Sequence, residues 1–206
     1  MKTIVKKEFA SWFVILSVIF TIYLTGLQTE VLGRVQQMVL ATGLIKPELK
    51  NDVASDSNAA YVISQAEAGH DFPLLTLDGK SANLKEFKGK VIFINLWATW
   101  CPPCIAEMPN IHKLYERTST EDVAFVMLSL DEDFEKARKF VKRKEYTFPV
   151  YGVKESLPIE FETTIIPTTY VIDRNGKIVL RKEGMAKYDT DEFRTFLDKL
   201  IKSKAQ

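Results

Sequence analysis

Cysteine is nearly absent, with two residues in a chain of 206. Two sulfurs are too few for a disulfide-stapled scaffold, and a chain that is 46% hydrophobic can build its core without staples. Histidine is as scarce: only His70 and His112 are present. A four-ligand zinc site would need both of them at spacings unrelated to the cysteines, so no zinc site is expected. An excess of one charge is missing too, because 28 Lys and Arg stand against 27 Asp and Glu for a net charge of +1. Without a long basic block, nucleic acid is excluded as a natural partner. No repeat or low-complexity tract interrupts the chain.

What is present begins with an apolar run. Residues 9–29, "FASWFVILSVIFTIYLTGLQT", contain no Asp, Glu, Lys or Arg. Their 21 positions match the roughly 20 that a helix needs to cross a bilayer at 1.5 Å per residue. Lys2, Lys6 and Lys7 precede them, which keeps residues 1–8 in the cytoplasm and places the remainder outside it. A cleaved signal peptide and a buried core helix are the competing readings; Thr25-Gly26-Leu27 is a poor cleavage site, and an all-apolar helix at the N-terminus has no obvious place in a single core. Residues 30–69 then read as a juxtamembrane helix, carrying Val31, Leu32, Val35, Met38 and Val39 at helical spacing, followed by a polar tether after Pro47.

From residue 70 to 206 the pattern is that of one α/β domain. Asp78-Gly79 sits between two short alternating runs, a hairpin signal. "VIFINLW" and "VAFVMLSL" are continuous apolar runs, as expected of strands buried on both faces. Helical patterns over 102–117 and 131–145 and a C-terminal helix capped by Asp189 or Thr190 alternate with these strands and with a hairpin at Asn175-Gly176. The fold class is therefore α/β, a mixed central sheet covered on both faces by helices. Met127, Phe134, Phe140 and Phe148 have core spacing, and His112 reads as a surface residue.

Both cysteines fall in "WCPPCIAEMP", Trp100 to Pro109. The strand ending at Trp97 feeds a short turn, so Cys101 opens the next helix, with Pro102 in its first turn. Unsatisfied N–H groups and the helix dipole there favour a thiolate on Cys101. Cys104, one turn on, can resolve a mixed disulfide formed on Cys101. A structural disulfide would close too small a loop to stabilise much, and haem attachment would need His where Ile105 stands. A thiolate copper site remains open. On a helix, residues 104 and 107 share a face, so Glu107 can stand near the Cys104 sulfur and titrate nearer neutrality if desolvated; a solvated surface glutamate is the plainer reading. Pro109 removes an N–H from the helix, so a kink is expected.

These residues resemble the membrane-tethered TlpA/ResA-like thiol-disulfide oxidoreductase family, of thioredoxin fold. "NLWATWCPPC" is similar to that family's active-site segment, the match extends through Glu107 and Pro109, and the resemblance covers residues 72–203. It implies a thioredoxin-like fold in which Asn95 replaces the buried aspartate of cytosolic thioredoxins and Glu107 takes over acid-base work. It further implies that Pro167 is cis and faces the cysteines, that the backbone at Ile166 pairs with an extended partner segment, and that Trp100, Pro102 and Pro103 belong to the docking surface. No cofactor beyond a Cys101–Cys104 disulfide is implied.

The expected activity is reduction of disulfides in extracytoplasmic proteins, from a single-pass anchor in a bacterial cell membrane. Electrons would come from a membrane donor of the thiol-relay type, and cytochrome c maturation is the commonest role of relatives. A peroxiredoxin-like peroxidase is one rival, although Thr99 stands two rather than three residues before Cys101. A tethered metal- or partner-binding module is the other.

Overall fold

The computed structural model describes residues 12, 15–18, 20–21, 28–42, 45 and 71–203. Its elements are α1 (Gln28–Ala41), β1 (Pro73–Thr76), β2 (Ser81–Asn83), β3 (Val91–Trp97), α2 (Pro102–Glu116), β4 (Val123–Ser129), α3 (Phe134–Lys144), β5 (Val150–Val153), β6 (Thr168–Ile172), β7 (Ile178–Glu183) and α4 (Asp191–Lys202). Among the described residues no helix is long and apolar enough to cross a membrane. Most of the expected span at 9–29, the cytoplasmic end at 1–8 and the tether at 47–69 lie outside the described residues.

The seven strands form one sheet in the order β2-β1-β5-β4-β3-β6-β7. β3 pairs in parallel with β4, and β4 with β5, while β6 runs antiparallel to β3 and β7 to β6. The central β3 and β4 are buried at every position, which explains their unbroken apolar sequence. The β1–β2 turn places Gly79 at φ 82°, a conformation that favours glycine.

Alternate residues of β3 divide the core in two. Val91, Phe93 and Trp97 join Met108, Ile111 and Leu114 of α2, Phe140 and Val141 of α3, and Phe193 and Leu197 of α4. Ile92, Ile94 and Leu96 face the other way, with Leu84, Phe161 and Tyr170. The helices that follow β3 thus lie on a single face. The opposite face, expected to carry helices as well, is closed by the β1–β2 hairpin and two 3-10 turns, at Leu84–Phe87 and Ile159–Phe161. A turn of three or four residues presents only one or two apolar side chains, so no periodicity announces it.

Caps fix where the helices begin. The Cys101 sulfur accepts from the Cys104 N–H for α2, Asp133 from Glu135 for α3 and Thr190 from Phe193 for α4. α3 is a residue or more shorter at each end than its sequence pattern, because Asp133 caps it and Glu145 leaves it in the left-handed region at φ 56°. α1, read from the sequence as a juxtamembrane element apart from the domain, lies against it. Gly33 and Leu40 are buried, and a Cβ at Gly33 would stand 3.1 Å from Ile105 Cγ2 and 3.3 Å from the Pro102 carbonyl oxygen. Beyond α1, the Ile45 carbonyl accepts from the Lys187 N–H at 3.0 Å.

Candidate active site: a disulfide at the rim and a carboxyl group beneath it

β3 ends beneath the site and α2 leaves from it. Between them the turn is closed by the Cys101 N–H donating to the Ala98 carbonyl at 3.2 Å, and the Leu130 N–H reaches the Trp97 carbonyl from the end of the neighbouring strand. Cys101 and Cys104 form a disulfide, so the structure is that of the oxidised protein. The Cys104 N–H points at Cys101 Sγ from 3.3 Å, where it would stabilise a thiolate after reduction. Cys101 is 4% exposed and Cys104 fully buried, so only the first sulfur is open to attack.

Ile166 Oxygen lies 3.8 Å from Cys101 Sγ. The disulfide sulfur carries no proton to donate, so this is a packing contact in the oxidised state. The Ile166–Pro167 bond is cis, and Pro167 is buried beside the cysteines. Around the sulfur the rim is apolar: Trp100 is 59% and Ile165 47% exposed, and Ile166 is half-buried. Pro102 and Pro103 are half-buried as well, with α1 against the backbone of Pro102. Trp97, by contrast, belongs to the core.

Glu107 departs from the plainer of its two readings, because it is completely buried. Its Oε1 accepts from Asn95 Nδ2 at 2.7 Å, and its Oε2 from the Ala186 N–H at 3.0 Å. Loss of water raises its pKa from 4.5 to about 8, although the two hydrogen bonds and Lys182 pull the other way. Asn95, also buried, donates to Thr169 Oγ1 at 2.9 Å, while its own Oδ1 has no partner. Turning that amide over would offer Oδ1 to a protonated Glu107, so the pair can accommodate either protonation state.

Other parts of the site carried weaker signals. Asp131 accepts from the Thr99 N–H at 3.1 and 3.2 Å, from Thr99 Oγ1 at 2.6 Å and from Ser129 Oγ at 2.9 Å, clamping the turn that carries Trp100 and Cys101. Its position just beyond β4, parallel to and beside β3, is the available clue, since functional groups gather at the carboxyl ends of parallel strands. Thr169 and the Ala186 amide come from segments 74 and 79 residues away from their partners, which no local pattern links. His112 is not on the surface as expected: it is half-buried against Tyr146 and Phe148, and Nε2 accepts from the Thr147 N–H. Among the described residues no group of three or more His, Cys, Asp or Glu could hold a metal ion.

Paired sulfurs at the mouth of a thioredoxin-like α/β sheet, beside a cis proline, define a thiol-disulfide oxidoreductase of the thioredoxin superfamily. The chain belongs to the Redoxin family, which it matches over residues 50–197, and within it is ResA-like. It is 37% identical over 115 residues to the thiol-disulfide oxidoreductase ResA of Bacillus thuringiensis, covering 55% of this chain and 66% of that protein. To a ResA of Bacillus cereus it is 31% identical over 153 residues, 74% of this chain and 87% of that one. Among solved structures, a Chlorobium tepidum protein assigned as a thiol:disulfide interchange protein DsbE superposes with a TM-score of 0.60 at 25% identity, over 68% of this chain and 99% of that chain.

Proposed function

We propose that this chain is a membrane-anchored reductase of protein disulfides, facing the extracytoplasmic side of a bacterial cell membrane through residues 9–29, with apocytochromes c among its substrates. The observation that carries the chemistry is the pairing of a rim sulfur, Cys101, with a buried acid, Glu107, one turn of α2 beyond the resolving Cys104. The direction, the compartment and the substrates rest on the apolar segment and on the likeness to ResA and DsbE.

In the reduced protein the Cys101 thiolate attacks one sulfur of a partner disulfide. The partner S–S bond breaks, a mixed disulfide forms on Cys101, and one partner sulfur leaves as thiolate. Cys104 then gives up its proton, attacks Cys101 Sγ and expels the second partner sulfur. Two electrons and, after protonation, two hydrogens pass to the partner, leaving Cys101–Cys104 oxidised. A membrane donor of the thiol-relay type returns two electrons to the pair.

Glu107 serves this cycle as a proton store. In the oxidised protein it holds a proton below about pH 8. When the donor reduces the disulfide, Cys104 emerges as a thiolate and takes that proton; when Cys104 later attacks, the proton returns.

The decisive experiment compares Cys104→Ala with Cys101→Ala in the full chain within cells. Cys104→Ala should accumulate covalent complexes with extracytoplasmic proteins that dissolve on reduction, and Cys101→Ala should accumulate none. Full activity in both variants would exclude redox chemistry and leave the binding-module reading.

A further inference from the structure

α1 is built the wrong way round for a helix covering a soluble domain. Val31, Leu32, Val35, Met38 and Val39 are between 44% and 73% exposed, whereas the residues it buries include a glycine, Gly33, and one leucine, Leu40. At about 100° per residue the five exposed apolar positions fall within an arc of about 120°, wide enough for a full contact face. No charged residue enters that arc. The two charges of the helix, Glu30 and Arg34, both lie to one side of it, and Glu30 is engaged by Arg143 and Lys144. The inner face is already satisfied: α1 runs beside α2, with Gly33 on Pro102 and Ile105 and with Gln37, Leu40 and Ala41 lining a crevice with Pro109 and Asn110.

We infer that the outer face of α1 is a seat for an anionic lipid bilayer, holding the first turn of α2, and with it the disulfide, about one helix diameter from the membrane. The inference rests on the proposed anchor at residues 9–29 and adds where the domain sits relative to it. Two features select lipid as the occupant. First, α1 begins where the uncharged run ends, and Trp12, Ile15, Leu16, Val18 and Phe20 of that run are exposed as well, so the described residues of the run and α1 both turn apolar side chains outward. Second, the ion pairs of Glu30 bring the C-terminal end of α3 to the start of α1, and that end carries Lys142, Arg143 and Lys144 with Lys139 one turn back. Glu30 engages Arg143 and Lys144, whereas Lys139 and Lys142 are exposed. An apolar helical face beside a basic cluster is the combination that binds the interface of an anionic membrane.

A domain seated in this way presents its sulfurs to partners at the bilayer surface. A membrane-embedded donor can then reach Cys101 without the domain searching the full length of a tether. The open side of the rim, with Trp100 and Ile165, is left for the protein substrate.

The test uses the full chain in nanodiscs of phosphatidylcholine with phosphatidylglycerol, labelled at the methionine methyl groups, with a spin-labelled lipid in the disc. Met38 should broaden several-fold more than Met108 and Met127, which are buried in the domain and serve as internal references. Val35→Asp, at an exposed position, should reduce that broadening without moving the reference signals. Equal behaviour of Met38 and Met127 in a chain that remains in the disc overturns the seat while leaving the anchor intact. Contact of Met38 with a second, differently labelled chain in place of lipid overturns it in favour of a dimer. Loss of the chain from the disc overturns both the anchor and the seat. Broadening that is unchanged in discs of phosphatidylcholine alone overturns the part assigned to anionic headgroups.

Discussion

Two successive turns of α2 face opposite environments. The first, with Cys101 and the half-buried Pro102 and Pro103, opens on a rim flanked by exposed Trp100 and Ile165. The second, with Cys104 and Glu107, is sealed from water. The difference separates two exchanges that a thiol-disulfide oxidoreductase must make. Electrons cross at the rim, where a partner sulfur can approach, and protons move in the interior, where a carboxyl group without water keeps its proton to about pH 8. Joining the two is the disulfide itself, with the Cys104 N–H aimed at Cys101 Sγ.

The strongest way to break the comparison is to remove the outer sulfur. Cys101→Ala should lower turnover of a test protein disulfide below about one thousandth of the parent rate, as expected when a nucleophile is lost. Binding of the partner should persist, because the apolar rim is untouched. Turnover within about tenfold of the parent would move the attack to Cys104 and dissolve the division between the turns.

Next in size is the inner acid. Glu107→Gln keeps the shape of the side chain and, with one acceptor oxygen and a donor NH2, stands in for the protonated acid but cannot release a proton, and should slow the resolving step by about a hundredfold. It should also remove the inflection near pH 8 from the pH–rate profile. An unchanged profile would reduce Glu107 to a packing residue. Stability offers a second readout of the same burial. The folded protein holds this proton up to about pH 8, whereas the unfolded chain releases it near 4.5. The native state therefore binds more protons throughout that window, and stability falls as pH rises from about 4.5 to about 8, then levels off. The decline should be on the order of a few kcal/mol in the parent, and chemical denaturation of Glu107→Gln should show it largely abolished.

The outer turn was legible in the sequence and the inner one only in part. Cys101, Pro102 and Cys104 signal their roles through local spacing, because a helix start and a C-x-x-C pair are encoded within a few residues. The strands at 91–97 and 123–129 were equally plain, since burial on both faces leaves an unbroken apolar run. Glu107 could be placed on the right helix face, but its burial depends on Asn95, Thr169 and Ala186, brought together by β-pairing and a loop distant in sequence. Spacing also found α1 without revealing which face it buries. Its apolar residues invite the usual inward reading, and only the close approach at Gly33 shows that the helix packs by its smallest side chain.

A smaller effect should come from Asp131, which belongs to neither turn and positions the first. Asp131→Ala leaves the Thr99 N–H and hydroxyl without their acceptor, at a cost of about 1–3 kcal/mol. If the clamp also orients Cys101, turnover should fall about tenfold and Asp131→Asn, which keeps an acceptor oxygen, should recover part of it. A loss of stability with unchanged turnover at a temperature where the variant is folded would confine Asp131 to a structural role.

The mildest prediction tests whether the rim does anything beyond admitting a partner. Trp100 is 59% exposed, so its ring contributes little to the core, and Trp100→Ala should leave the unfolding free energy within about 0.5 kcal/mol of the parent. If the ring only supplies contact area for the substrate, it stabilises the bound ground state and the transition state equally. KM should then rise by about threefold to tenfold with kcat unchanged. A fall in kcat instead would mean that Trp100 aligns the partner disulfide with Cys101 Sγ, and the outer turn would share in the chemistry as well as in recognition. The inner turn should not respond in either case, so the inflection near pH 8 attributed to Glu107 should remain in Trp100→Ala. A shift of that inflection would show that the rim controls water access to the buried acid, and that the two turns are coupled through more than their shared disulfide.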